Sequence, residues 1–183
     1  AFTMLVSKIK VQSAKSPNEA TWPYIIGTMY EQSKQYTKAI EYYETANSKD
    51  VSPVIHQRIS ECHYELGDYE DALNSINQAL NLDSTDLSYK ARKANIYYEM
   101  GDVKSAIAEW DNVLKAQPEY GFGYYRRGWF KELAGDMEGA IEDLSMSIVL
   151  DPEYSYAYVS RGDVYMKQGK KELAEADFTK VIE

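Results

Sequence analysis

Apolar and polar positions along the chain recur at a period near 3.6 residues, in stretches of three to four turns. That spacing lays one hydrophobic stripe along an amphipathic helix. The stretches come in pairs around a recurring turn, in LGDYEDA, MGDVKSA, AGDMEGA and QGKKELA. Gly67, Gly101, Gly135 and Gly169 stand 34 residues apart, as do Ala72, Ala106, Ala140 and Ala174. Ala39 extends the alanine series backwards in QYTKAIEYY, one residue short of register. A glycine where a helix must end in a left-handed turn costs little because it has no Cβ. Each unit therefore reads as helix A, tight turn, helix B. Unit one carries Ser33-Lys34-Gln35-Tyr36 at the turn instead.

The joins between units hold Ser52-Pro53, Gln117-Pro118-Glu119 and Asp151-Pro152-Glu153, with Asp83-Ser84-Thr85-Asp86 at the second join. Asp or Ser caps orphan N–H groups and proline suits a first helical turn, so these joins predict helix starts. Small residues recur in helix A at Gly27, Ser60, Ala94, Gly128 and Gly162, where they let neighbouring backbones approach.

This order of small, aromatic and proline positions resembles the tetratricopeptide repeat (TPR) family, whose unit is about 34 residues of helix-turn-helix. The resemblance covers essentially the whole chain. It implies an all-α, right-handed superhelix, an α-solenoid of about five units plus a partial N-terminal one. Residues 1–183 then form a single TPR domain, with repeats at 20–52, 53–86, 87–120, 121–154 and 155–183 after a partial unit at 1–19. Leu5, Val6 and Ile9 put residues 3–14 in helix-B register, although an unrelated N-terminal helix fits the same periodicity. Neither end carries an evident polar cap, which leaves self-association through the ends open.

Composition narrows the function classes. With 29 acidic and 20 basic side chains the net charge is -9, which opposes the phosphate attraction behind nucleic-acid binding. No apolar run approaches the roughly 20 residues of a membrane span, so no membrane insertion is expected. A single cysteine, Cys62, forms no internal disulfide. The chain does not begin with Met, so localisation stays open.

Candidate chemistry is sparse. His56 and His63, seven residues apart, lie about 10 Å apart along a helix, too far for one metal ion. The recurring glycines serve turns and close packing, so no phosphate-cradling loop is read. Acidic pairs such as Glu61/Glu65 and Glu142/Asp143 read as solvated helix faces. No catalytic constellation, metal site or cofactor is expected.

Two basic series follow the repeat. Lys93, Arg127 and Arg161 read as structural, pairing with carboxylates of packed helices. Arg58, Arg92 and Arg126 occupy the place that, by the resemblance, faces the concave wall and grips a partner polypeptide. Guanidinium forks suit carboxylates, so the implied ligand is an extended acidic segment. The competing reading is that these arginines satisfy neighbouring glutamates, with Glu61 three residues after Arg58 and Glu61 or Glu99 within reach of the others. Tyr24, Tyr98, Tyr125, Trp129 and Tyr156 stand at groove-facing places in the family, and Asn95 partly matches its carboxylate-clamp pattern. The clamp's lysines are missing, so capture of a chaperone tail is not implied. The resemblance thus implies a non-catalytic protein–protein interaction module, an adaptor or scaffold for a protein or peptide ligand. Two alternatives are the substrate-targeting arm of a larger O-GlcNAc-transferase-like enzyme and a self-associating scaffold.

Overall fold

The computed structural model describes residues 2–182. Among them are eleven helices and no strand: α1 (Phe2–Lys15), α2 (Thr21–Gln32), α3 (Tyr36–Asn47), α4 (Pro53–Leu66), α5 (Tyr69–Leu82), α6 (Leu87–Glu99), α7 (Val103–Ala116), α8 (Gly121–Leu133), α9 (Met137–Leu150), α10 (Ser155–Lys167) and α11 (Lys171–Ile182). Even-numbered helices are helix A of the five repeats and odd-numbered helices from α3 onward are helix B. The fold is an all-α array of helix-turn-helix repeats. The outermost bounds expected from sequence, Ala1 and Glu183, lie outside the described residues. None of the described helices is long and apolar enough to cross a membrane.

The helices fall into two compact units divided between Ile96 and Tyr97, within α6. In the N-terminal unit, α1 packs on α2, and α3 lays Ala39, Ile40, Tyr43 and Ala46 against Ile55, Ile59 and Cys62 of α4. Ala72, Ile76 and Ala79 of α5 meet Tyr89 and Ile96 of α6. In the C-terminal unit, Ala140 and Leu144 of α9 pack on Val164 of α10, and Trp110 and Phe130 are fully buried. Each large apolar side chain so buried stabilises by about 1.5–3 kcal/mol.

The alanine series is buried without exception, because a larger side chain would push the paired helices apart. Helix A uses its small residues for the same purpose. A Cβ on Gly27 would lie 2.8 Å from the Tyr43 ring, and one on Gly128 would lie 3.2 Å from the Ala140 carbonyl oxygen.

The turns obey the glycine rule. Gly67, Gly101, Gly135 and Gly169 have φ of 83°, 81°, 85° and 74°. Lys34, five residues before Ala39 as Gly67 is before Ala72, adopts φ 58°. Asp102 and Asp136, directly after their glycines, accept hydrogen bonds from the Ser105 and Gly139 N–H groups at 3.0 Å and so cap α7 and α9.

The joins differ from expectation. Pro53 opens α4, but Ser52 makes no side-chain cap bond. Pro118 and Pro152 sit in the turns before α8 and α10, not in a first helical turn. Asp151 and Asp83 fold back on the second N–H after themselves, on Glu153 at 3.3 Å and Thr85 at 3.0 Å, closing a local turn that delays the helix. Asp86 then accepts from the Ser88 N–H at 2.8 Å.

Arg127 of α8 bridges two consecutive B helices. It donates to Asp111 of α7 at 2.7 Å and to both carboxylate oxygens of Asp143 of α9 at 2.6 and 2.7 Å. Arg161 of α10 does the same, donating to Ser145 of α9 at 2.9 Å and to Asp177 of α11 at 2.7 and 2.8 Å. Asp143 is buried and also meets Lys131 at 2.9 Å, so it is no solvated face residue; only Glu142 of that pair is exposed. The difference arises because its two cations, sixteen and twelve residues upstream, come from the preceding helix α8, beyond any spacing on its own helix.

Candidate functional site

In the N-terminal unit, helix A of successive repeats brings arginines and glutamates together. Arg58 of α4 lies 3.3 Å from Glu31 of α2 and 3.2 Å from Glu61 on its own helix. Arg92 of α6 lies 2.9 Å from the other oxygen of Glu61, and its guanidinium stands 5.8 Å from the centre of the Tyr64 ring. One carboxylate therefore serves two arginines. Burial lowers the pKa of Arg58, but Glu31, a hydrogen bond to Tyr24 and Glu61 outweigh it and hold the guanidinium above its ordinary value. Tyr24 leans on Tyr43, with ring centres 5.5 Å apart, and Tyr43 in turn hydrogen-bonds Glu31 and Thr28. Beside this network a cleft of roughly 370 Å³ opens between Glu31, Tyr36, Glu61, Glu65 and Arg92. Glu61, like Asp143, is an ion-pair partner and not a solvated face.

In the C-terminal unit, helix-A side chains gather in aromatic clusters. Tyr98 lies 5.0 Å from Trp129 and 5.6 Å from Phe130, while the Arg126 guanidinium sits 5.1 Å from the centres of both those rings. Cation–π contacts of this kind are worth about 0.5–1 kcal/mol at exposed sites. A second run joins Phe122 to Tyr125 at 5.9 Å, Tyr125 to Tyr154 at 5.1 Å and Tyr154 to Tyr156 at 5.6 Å. Trp110 anchors its buried end, 6.2 Å from Phe122. Phe122 is exposed, and Tyr156 keeps 63% of its surface in solvent.

The residues singled out from sequence thus fall into two sets. Tyr24, Arg58 and Arg92 share the N-terminal network, and the half-buried Asn95 lies on α6 three residues beyond Arg92. Tyr98, Arg126 and Trp129 share one aromatic cluster, while Tyr125 and Tyr156 share the other. Sequence reading missed Phe122, Tyr120 and Tyr154. The available signal was a second-order repeat: Pro118-Glu119-Tyr120-Gly121-Phe122-Gly123-Tyr124 recurs 34 residues later as Pro152-Glu153-Tyr154-Ser155-Tyr156-Ala157-Tyr158.

Other groups have structural surroundings. Cys62 is buried, and burial together with Glu31 and Glu61 pushes its thiol up to about 12, so it is a poor nucleophile. His56 is buried and burial lowers its pKa. Among the described residues, no group of three or more His, Cys, Asp or Glu is arranged to hold a metal ion.

Comparison with known proteins agrees with this architecture. The chain matches "Tetratricopeptide repeat protein 21 forth ARM domain" over residues 25–116 and two "Tetratricopeptide repeat" families over residues 91–155 and 155–183. No curated protein sequence matches it. Among solved structures, MamA (residues 41 to the end) from Desulfovibrio magneticus RS-1 is 21% identical, with a TM-score of 0.79 over 89% of this chain and 93% of that one. A tetratricopeptide repeat protein from Parabacteroides merdae is 20% identical, with a TM-score of 0.81 over 99% of this chain and 72% of that one. YrrB, described as a TPR protein with an unusual peptide-binding site, is 13% identical, with a TM-score of 0.73 over 95% and 90%. At these identities the likeness concerns the fold. The 34-residue period, the paired helices and the matches along the repeats all agree, and the chain belongs to the tetratricopeptide repeat family.

Proposed function

We propose that this chain is a non-catalytic protein-interaction module that holds an extended polypeptide segment against its helix-A side chains. The observation that carries the reading is the aromatic surface of the C-terminal unit, where Tyr98, Tyr125, Trp129 and Tyr156 offer amphipathic contact area on rigid helices. Tyrosine and tryptophan combine apolar area, a polar tip and few rotors, and they dominate binding hot spots for that reason. A similar fold in YrrB, described as having a peptide-binding site, supports the same class of role.

Acidic residues in the bound segment are read by the arginine series. Arg126, stacked on Trp129 and Phe130, contributes a charge within the aromatic surface. At Arg58 and Arg92 an incoming carboxylate competes with Glu31 and Glu61. Selection of peptides from a random display library supplies the probe, and calorimetric titration of the enriched peptide tests the site. Trp129→Ala and Tyr125→Ala are expected to weaken binding by about thirtyfold, the scale of a hot-spot residue near 2 kcal/mol. Arg126→Ala is expected to lower the salt dependence. Wild-type affinity in both aromatic variants would overturn the proposed site.

A further inference from the structure

The bridging guanidinium described for Arg127 and Arg161 recurs by sequence register, and stepping back through the repeats shows where it stops. The series reads Arg161, Arg127, Lys93 and then Ile59, each 34 residues before the last. Ile59 is a buried apolar residue of α4, so the second repeat carries no cation at this place. The acceptors around it are only partly lost. Asp111 stands five residues after Ala106, and Glu44 stands five after Ala39. Asp143 stands three after Ala140, and Ser75 stands three after Ala72. Glu44 on α3 and Ser75 on α5 therefore hold the places that flank a guanidinium two repeats later.

The space left behind is a cleft of roughly 400 Å³ in the N-terminal unit, lined by Glu44, Asn47, His56, His63, Asp71 and Ser75 among others. That volume lies within the roughly 300–1,000 Å³ of small-ligand sites. Among the described residues no ion pair engages Glu44 or Asp71, whereas Asp111 and Asp143 both meet Arg127. His56 is only 9% exposed; its Nε2 meets the Asn47 amide at 3.4 Å, while its Nδ1 has no hydrogen-bond partner among the described residues. Burial lowers its pKa, so its ring is neutral at neutral pH and adds no repulsion toward a cation. Two carboxylates, side-chain amides and hydroxyls and a neutral imidazole form an acceptor-rich lining of net negative charge.

We propose that this cleft binds a guanidinium group supplied from outside the chain, in the place that Arg127 and Arg161 fill for themselves in later repeats. A planar fork of N–H donors suits divided acceptors on two helices better than a point-charged ammonium does. The group comes either from an arginine side chain of a bound polypeptide or from a free alkylguanidine. This site uses none of the residues of the aromatic surface and stands or falls without it.

The chain has two histidines, both in the cleft lining, so their ring-proton NMR signals report on it directly. The full chain is titrated with methylguanidine at low millimolar concentration, with an acetyl-Gly-Arg-Gly-amide peptide, and with the same peptide carrying neutral citrulline. Saturable shifts of both histidines with a guanidinium probe and none with citrulline are expected. Much tighter binding of the peptide identifies a polypeptide source, and equal binding identifies a free guanidine. Glu44→Gln, an exposed change that leaves the core intact, is expected to weaken binding about fivefold, the scale of one exposed ion pair. Ile59→Arg supplies an internal guanidinium and is expected to abolish it. Absence of saturable shifts with either guanidinium probe, or unchanged affinity in Glu44→Gln, overturns the proposal.

Discussion

His56 shows how one residue ties packing to solution behaviour. It occupies a helix-A packing place and lies 9% exposed, so charging it means charging a nearly dry imidazole. Its pKa lies below the ordinary 6.5, with burial as the cause. The unfolded chain therefore binds this proton more readily than the folded one, and stability falls as pH drops below about 6.5. Urea midpoints measured from pH 7.5 down to 5 should decline over this window, and His56→Asn should flatten that slope; an unchanged slope would show that the loss arises elsewhere. His56 stands two and three 34-residue periods before Tyr124 and Tyr158, a register that points to packing. The cleft beside it was not legible in the sequence, because the place of Ile59 in the cation register gains meaning only once Arg127 is seen bridging α7 and α9.

At the scale of helices, successive B helices in the C-terminal unit are joined through one arginine from the A helix between them. Asp143 is the centre of this arrangement, 6% exposed and shared by Arg127 and Lys131. Asp143→Ala leaves two half-buried cations without their common acceptor, and its expected cost is about 3 kcal/mol, as for breaking a buried pair from one side. Urea denaturation measures this; a loss below about 1 kcal/mol would rank the pair with ordinary surface ion pairs. The helices themselves were readable from the glycine and alanine periods, since both respond to constraints within one repeat. Helix starts were less so: Pro118 and Pro152 suggested a first turn, but Asp151 prefers to close its own local turn. The fate of Arg58 and Arg92 was legible only as two alternatives. Arg58 reaches Glu31 across 27 residues of chain, a partnership no pattern on its own helix announces.

Taken whole, the chain combines local ion pairs with a net charge of -9. Excess like charge destabilises a compact state, and salt relieves it as the Debye length falls from ~30 Å at 0.01 M to ~8 Å at 0.15 M. Pairs buried as Arg127–Asp143 is are screened far less. The melting temperature should therefore rise between those two salt concentrations, by about 2 °C for a stabilisation of roughly 0.5–1 kcal/mol. Calorimetry checks this, and a fall would mean that half-exposed pairs such as Lys167–Glu132 outweigh the general repulsion. The four glycine turns set a different kind of limit. A methyl added at Gly67, Gly101, Gly135 or Gly169 meets nothing within 4 Å, so room is not what forbids it. Replacements there should rank by torsional tolerance and not by size, with asparagine the mildest, alanine next and valine the worst. Lys34, already bent to the same hand, shows that the architecture accepts an ordinary side chain at such a corner.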